Sequence, residues 1–201
     1  MAIYYHGSSK FFDRFDLAHS LEGAGRAKFG FGVYVTEEYT TAAHYAYSDK
    51  HPENRDFYVY TVDIPERTED NCLPLYNGVP VPASIVSRAE AELGGAIPAK
   101  ALTEGKLFRK YLANRLTGAK RTVTQMISKA TVEGEKAAAA FLRSIGVELI
   151  EWPQGSWENP TKRNMAVLDD AKVRIIRIDR VDLAGKDHKL VPGSQRLVKE
   201  F

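Results

Sequence analysis

The chain has 201 residues, 44% of them hydrophobic and 27% charged, with a formal net charge of +2. That length and apolar content suit one globular domain with a buried core and do not read as a disordered chain, and so small a charge does not announce a nucleic-acid binder. The longest apolar runs are five or six residues, far short of the roughly 20 that span a bilayer, and the first residues lack a basic stretch followed by a long apolar one. The chain therefore reads as soluble and cytoplasmic, with no membrane partner. Its single cysteine, Cys72, forbids an intrachain disulfide, suits a reducing compartment and reads as a small apolar residue.

The opening AIYYHGSS is β-prone and then stopped by Gly7 and two serines, which makes His6 the last strand residue before a turn. Phe11, Phe12, Phe15 and Leu17 follow among polar residues. In SLEGAGRAKFGFG the glycines at 23, 25, 30 and 32 are too dense for regular structure, so this segment reads as a loop. VYVT is a strand, Thr36 reads as a helix N-cap, and EEYTTAAHYAYS continues as a helix with Glu37 and Glu38 in its first turn. DFYVYTVDI alternates as a strand and stops at Pro65.

Between residues 82 and 146 the period becomes helical. ASIVSRAEAEL, GKLFRKYLANRL, RTVTQMISKAT and EGEKAAAAFLRSI read as three or four helices, with Leu107, Tyr111, Leu112 and Leu116 on a core face. Lys106, Arg109, Lys110, Arg115, Lys120 and Arg121 have no acid between them, which predicts either a solvated helix face or a local positive surface for phosphate. Strand character returns in VELIEW, NMAVLD and KVRIIRIDRVDL, where Met165, Val167, Val173, Ile175 and Ile178 are the apolar positions. The polar, basic stretch from about 185 to 201 reads as a mobile tail.

Strands, then a helical block at about 82–146, then strands again predict an α+β fold over residues 1–201 as a single domain. GAGRAKFG lacks the Lys-Ser/Thr ending of a phosphate loop, and it precedes a strand instead of following one. His6 at a strand end, Gly7 behind it, Tyr34 on the next strand and Tyr45 on the following helix can meet in one cleft. Aromatic faces and a close main-chain approach at glycine suit a flat ring carrying an amide, such as nicotinamide.

YYHGS, then GFGVYV with Tyr45 eleven residues past Tyr34, then NMAVLDDAKVRII resembles the ADP-ribosyltransferase family of the diphtheria-toxin and poly(ADP-ribose) polymerase type. The late segment also resembles small phage and mobile-element transferases of that type. The likeness covers residues 3–64 and 137–178. It implies a split two-sheet fold with a helical insertion, NAD as substrate, and transfer of ADP-ribose to a macromolecular acceptor, protein or nucleic acid. It further implies a toxin or phage-conflict effector, with an antitoxin or inhibitor protein as a possible partner.

Carried over by position, the resemblance implies that His6 bonds the adenosine-side ribose, that Gly7 offers backbone groups to the carboxamide within the His6-Gly7-Ser8 motif, and that Tyr34 and Tyr45 line the nicotinamide pocket. Asn164 matches the family's strand asparagine, and Arg26 in the glycine-rich loop is a candidate for the pyrophosphate. The catalytic glutamate of the polymerase members falls on Met165. Asp169 is the preferred replacement acid, with Glu151, Glu158 and Asp170 as neighbours. Trp152 and Trp157 belong to the loop where such enzymes recognise their target. The five histidines and one cysteine show no metal-ligand spacing. Two alternatives accompany the transferase reading: an NAD glycohydrolase, and a catalytically silent NAD or ADP-ribose binding module.

Overall fold

A computed structural model describes residues 2–19, 28–47, 53, 55–118, 131–154 and 162–201. The protein is a mixed α+β molecule built on one large, mostly antiparallel sheet. Its strands are β1 (Ala2–Ser8), β2 (Val33–Thr36), β3 (Phe57–Ile64), β4 (Cys72–Pro74), β5 (Leu149–Gln154), β6 (Lys162–Val167), β7 (Arg174–Val181), β8 (Leu183–Ala184), β9 (Lys189–Leu190) and β10 (Arg196–Glu200). Among the described residues its α-helices are α1 (Tyr39–Ala46), α2 (Ala83–Leu93), α3 (Ala99–Leu102), α4 (Gly105–Thr117) and α5 (Val132–Ser144). The eight-stranded sheet runs β10-β7-β3-β1-β2-β6-β5-β4, and β8 and β9 form a separate pair.

The centre of the sheet carries a seam. β1 pairs with β3 along its whole length, from Ala2 opposite Ile64 to Ser8 opposite Tyr58. Against β2, by contrast, its register holds a single partnership, Tyr5 opposite Thr36. β2 is itself fully paired with β6, from Val33 opposite Val167 to Thr36 opposite Asn164. The expected two sheets are thus one hydrogen-bonded sheet, whose halves meet through one register pair.

Alternation along the strands assigns the core to two faces. Tyr4, Val33, Val35, Tyr60, Leu149, Met165 and Val167 pack together on one face, covered by Phe12, Phe15 and Leu17. On the other face α1 lays Ala42 and Ala43 against Val59 and Val181. Ile150, Trp152 and Ala166 of that same face pack with the α2–α5 block.

Several expectations give way to particular contacts. β1 continues through Gly7 to Ser8 because a glycine lets α1 sit on the strand: a Cβ at Gly7 would stand 1.8 Å from the Ala42 carbonyl oxygen. Thr36 is not the helix cap. It stays in the sheet, 4% exposed, and α1 starts after an extended Glu38 with φ −115° and ψ 124°. The segment from 185 onward is not a loose tail, since β9 pairs with β8 and β10 forms the sheet edge against β7. Its charged composition is that of an edge strand.

On α4 the buried stripe is Gly105, Phe108, Arg109, Leu112 and Ala113, while Leu116 is exposed. Arg109 accordingly leaves the expected basic surface. It is 2% exposed, and its Nη1 lies 3.0 Å from Glu135 Oε2 on α5. Lys120, Arg121 and most of the segment RTVTQMISKAT lie outside the described residues. No helix among the described residues is long and apolar enough to cross a membrane.

Candidate functional site

His6 stands at the seam, next to Tyr5. Its Nδ1 lies 2.7 Å from the Tyr34 carbonyl oxygen, so a side chain bridges β1 and β2 one residue beyond the Tyr5–Thr36 partnership. A carbonyl only accepts, hence Nδ1 carries the proton and Nε2 is the ring's acceptor. The ring meets Phe15 edge-on at 5.0 Å and Tyr60 at 6.0 Å, and Phe12 stacks on Tyr60 at 4.3 Å. Burial in this aromatic box lowers the imidazole pKa, with the Tyr34 carbonyl opposing the shift. His6 is therefore a neutral, fixed tautomer. Ser8, at the end of β1, accepts a bond from the Lys10 backbone N–H at 3.0 Å.

Tyr34 and Gly7 belong to the opposite face. The Tyr34 hydroxyl accepts from Phe29 N and donates to Gly30 O, both at 2.9 Å, which ties the ring into the turn that precedes its own strand. Burial pushes that hydroxyl's pKa up to about 12. Trp152 sits 5.0 Å from Tyr34 and stacks on Phe29 at 4.5 Å. The glycine pair serves packing: a Cβ at Gly30, whose φ is +119°, would lie 2.7 Å from Ile150 Cδ1 and 3.3 Å from Arg109 Nη1, and one at Gly32 would lie 2.6 Å from the Val167 carbonyl. Asn164, 7% exposed, stands opposite both Thr36 and Trp152 and so shares this face.

The side chain of Tyr45 meets neither His6 nor Tyr34. It is 58% exposed, with its ring edge-on to His44 at 5.5 Å. Helical spacing nevertheless puts it on one stripe of α1 with Thr41 and the preceding Glu38, and those two residues are bound to β5. Gln154 Nε2 lies 2.6 Å from both Glu38 Oε2 and Thr41 Oγ1, Thr41 donates to Glu38 Oε2 at 3.1 Å, and Thr36 donates to Gln154 Oε1 at 3.0 Å. This stripe thus faces the Tyr34–Trp152–Asn164 half of the sheet across the seam. Sequence reasoning missed the network. Its one local trace is the spacing of Thr36, Glu38 and Thr41, because Gln154 is brought in only by the sheet.

The carboxylates sort by partner. Met165 is fully buried on the His6 face, so no acid occupies that position. Asp169 does not join the seam. It caps the turn after β6, accepting from Ala171 N at 3.2 Å, and lines an open pocket of about 370 Å³ with Arg143, Glu148 and Lys172. Its short polar side chain satisfies the local turn, as Asp commonly does. Asp170 accepts from Leu17 N at 2.8 Å. Glu151, 2% exposed, is held by Arg67 at 2.6 Å and lies 3.8 Å from Arg163. Cys72 is buried, and burial raises its thiol pKa to about 12.

Arg26, Trp157 and Glu158 lie outside the described residues. Among the described residues no cluster of three or more His, Cys, Asp or Glu is arranged to hold a metal ion. No protein-family model, curated protein or solved structure matches the chain.

Proposed function

We propose that the protein is an NAD-dependent ADP-ribosyltransferase of the split-sheet type, which transfers ADP-ribose from NAD to a macromolecular acceptor, protein or nucleic acid, and releases nicotinamide. The observation that carries this reading is the seam: β1 and β2 share the single register partnership Tyr5–Thr36, and one residue beyond it stands a neutral His6 whose Nε2 is an acceptor. An acceptor nitrogen fixed by its own second nitrogen suits a ribose hydroxyl, which donates.

On the opposite face, the exposed ring of Tyr45 offers a stacking surface on α1, the helix that passes over Gly7. Ring stacking there contributes about 0.5–1.5 kcal/mol beyond area burial. Asn164, buried beside Thr36, supplies an amide for a polar substrate group. The setting proposed for this activity is the cytoplasm, in a toxin or phage-conflict role with an inhibitor protein as partner.

Titration of the protein with NAD tests the reading. Binding weakened at least tenfold by His6→Ala and by Tyr45→Ala supports it, and equal affinity in all three proteins contradicts it. One observation favours a second reading, a binding module without turnover: buried Met165 occupies the position where the polymerase-type members carry their acid. NAD binding with no nicotinamide released would select that second reading.

A further inference from the structure

We propose that Glu38 is the carboxylate that faces the ribosyl cation, held in place by Gln154 and Thr41; this rests on the transferase reading above. Breaking an N-glycosidic bond to ribose builds positive charge at C1′, which a fixed carboxylate nearby stabilises. The acids on or next to β6 are otherwise engaged: Glu151 with Arg67, Glu37 with Arg163, and Asp169 with its own turn.

Glu38 differs in kind. Both bonds to its Oε2, from Gln154 Nε2 at 2.6 Å and Thr41 Oγ1 at 3.1 Å, come from neutral donors. Among the described residues no cation pairs with it, so its charge is oriented without being cancelled. Oε1 takes no part in these bonds, which leaves it for substrate. The residue stands two positions past Thr36, the register partner of Tyr5, and on the α1 stripe that carries Tyr45.

In the step proposed, the C1′–N bond of NAD breaks and its electron pair leaves with nicotinamide, whose ring nitrogen becomes neutral. The acceptor heteroatom then adds its lone pair to C1′ and releases its proton to water. Glu38 takes no part in proton transfer and opposes the charge at C1′. Gln154 is a positioning residue, acting through Glu38.

The test measures NAD affinity, nicotinamide release and thermal midpoint for the full chain and for Glu38→Gln, Gln154→Leu and Asp169→Asn. The proposal expects Glu38→Gln to bind NAD within about threefold of the parent and to lose nicotinamide release at least 100-fold. It expects Gln154→Leu to lose release about tenfold at unchanged affinity, and Asp169→Asn to match the parent. Should Glu38→Gln fail to fold, Gln154→Leu decides, because its loss must appear in turnover and not in affinity. Release at the parental rate in Glu38→Gln, or in a folded Gln154→Leu if the first variant is unstable, overturns the role of Glu38 and leaves the transferase reading standing. No NAD binding by the parent overturns that reading and this inference together. NAD binding by the parent without nicotinamide release selects the silent module and removes Glu38's role.

Discussion

The Nδ1 of His6 and the carbonyl oxygen of Tyr34, 2.7 Å apart, link the two central strands one residue beyond their single register partnership, Tyr5–Thr36. The same ring therefore has a structural nitrogen and a free one, and two substitutions separate them. Asparagine can reproduce the Nδ1 donor and not the Nε2 acceptor. His6→Asn is expected to keep about 1 kcal/mol more stability than His6→Ala, the worth of one hydrogen bond, while both lose NAD affinity at least tenfold. Denaturant unfolding and NAD titration of the two variants check this.

The depressed pKa of His6 has a sign that can be measured. A histidine whose folded pKa lies below its ordinary value is protonated more readily in the unfolded chain, so folded stability is full above about pH 6.5 and falls as pH drops below it. The slope from this residue reaches at most about 1.4 kcal/mol per pH unit. Thermal midpoints from pH 7.5 down to 5 are expected to fall more steeply in the parent than in His6→Asn, and parallel curves would contradict the assignment.

Gly7→Ala tests the crossing of α1 over β1. The added methyl would meet backbone, the Ala42 carbonyl, at 1.8 Å, so no side-chain rotation relieves it. The expected loss is about 3 kcal/mol, the upper end of ordinary overpacking. For a chain of this size that corresponds to a fall of roughly 6–12 °C in Tm. A variant with an unchanged midpoint would mean that the helix does not lie on the strand.

Arg109 and Glu135 form a pair within the core, 3% and 5% exposed at their side chains, with Arg109 Nη2 also donating to the Lys28 carbonyl at 3.0 Å. Arg109 Nη1 and Glu135 Oε2 face each other without hydrogen-bond geometry, so the pair is held chiefly by charge. Burial raises the Glu135 pKa and Arg109 opposes that rise. Arg109→Met alone is expected to cost about 3–5 kcal/mol by stranding the carboxylate, and Arg109→Met with Glu135→Leu to recover most of that loss. A double-mutant cycle in denaturant measures the coupling, and additive losses would refute it.

Much of the architecture is legible because period and breaker residues act locally. ASIVSRAEAEL is α2 to the residue, ended by Gly94 in the left-handed region at φ +66°. FYVYTVDI is β3, closed by Pro65. Side assignment across the seam is not local. Tyr34 stands one residue from Val35, which packs on the His6 face, and a single-residue step in a strand changes the face entirely. The three residues expected in one pocket are consequently distributed over two faces and a helix stripe. Residues 185–201 misled for a different reason: an edge strand gains its order from backbone pairing with β7, which leaves its side chains free to be polar. The burial of Arg109 depends on Glu135, far along the chain and on another helix, where no local pattern marks it.

The most direct test of the central claim incubates the purified protein with NAD labelled in its adenylate and with whole-cell lysate, beside Tyr34→Ala and Glu38→Gln, followed by protease or nuclease digestion. The expected result is label on a macromolecule removed by one of the two digestions, release of nicotinamide in step with it, and loss of both in each variant. No labelled macromolecule and no nicotinamide released, by a protein that still folds, would contradict it.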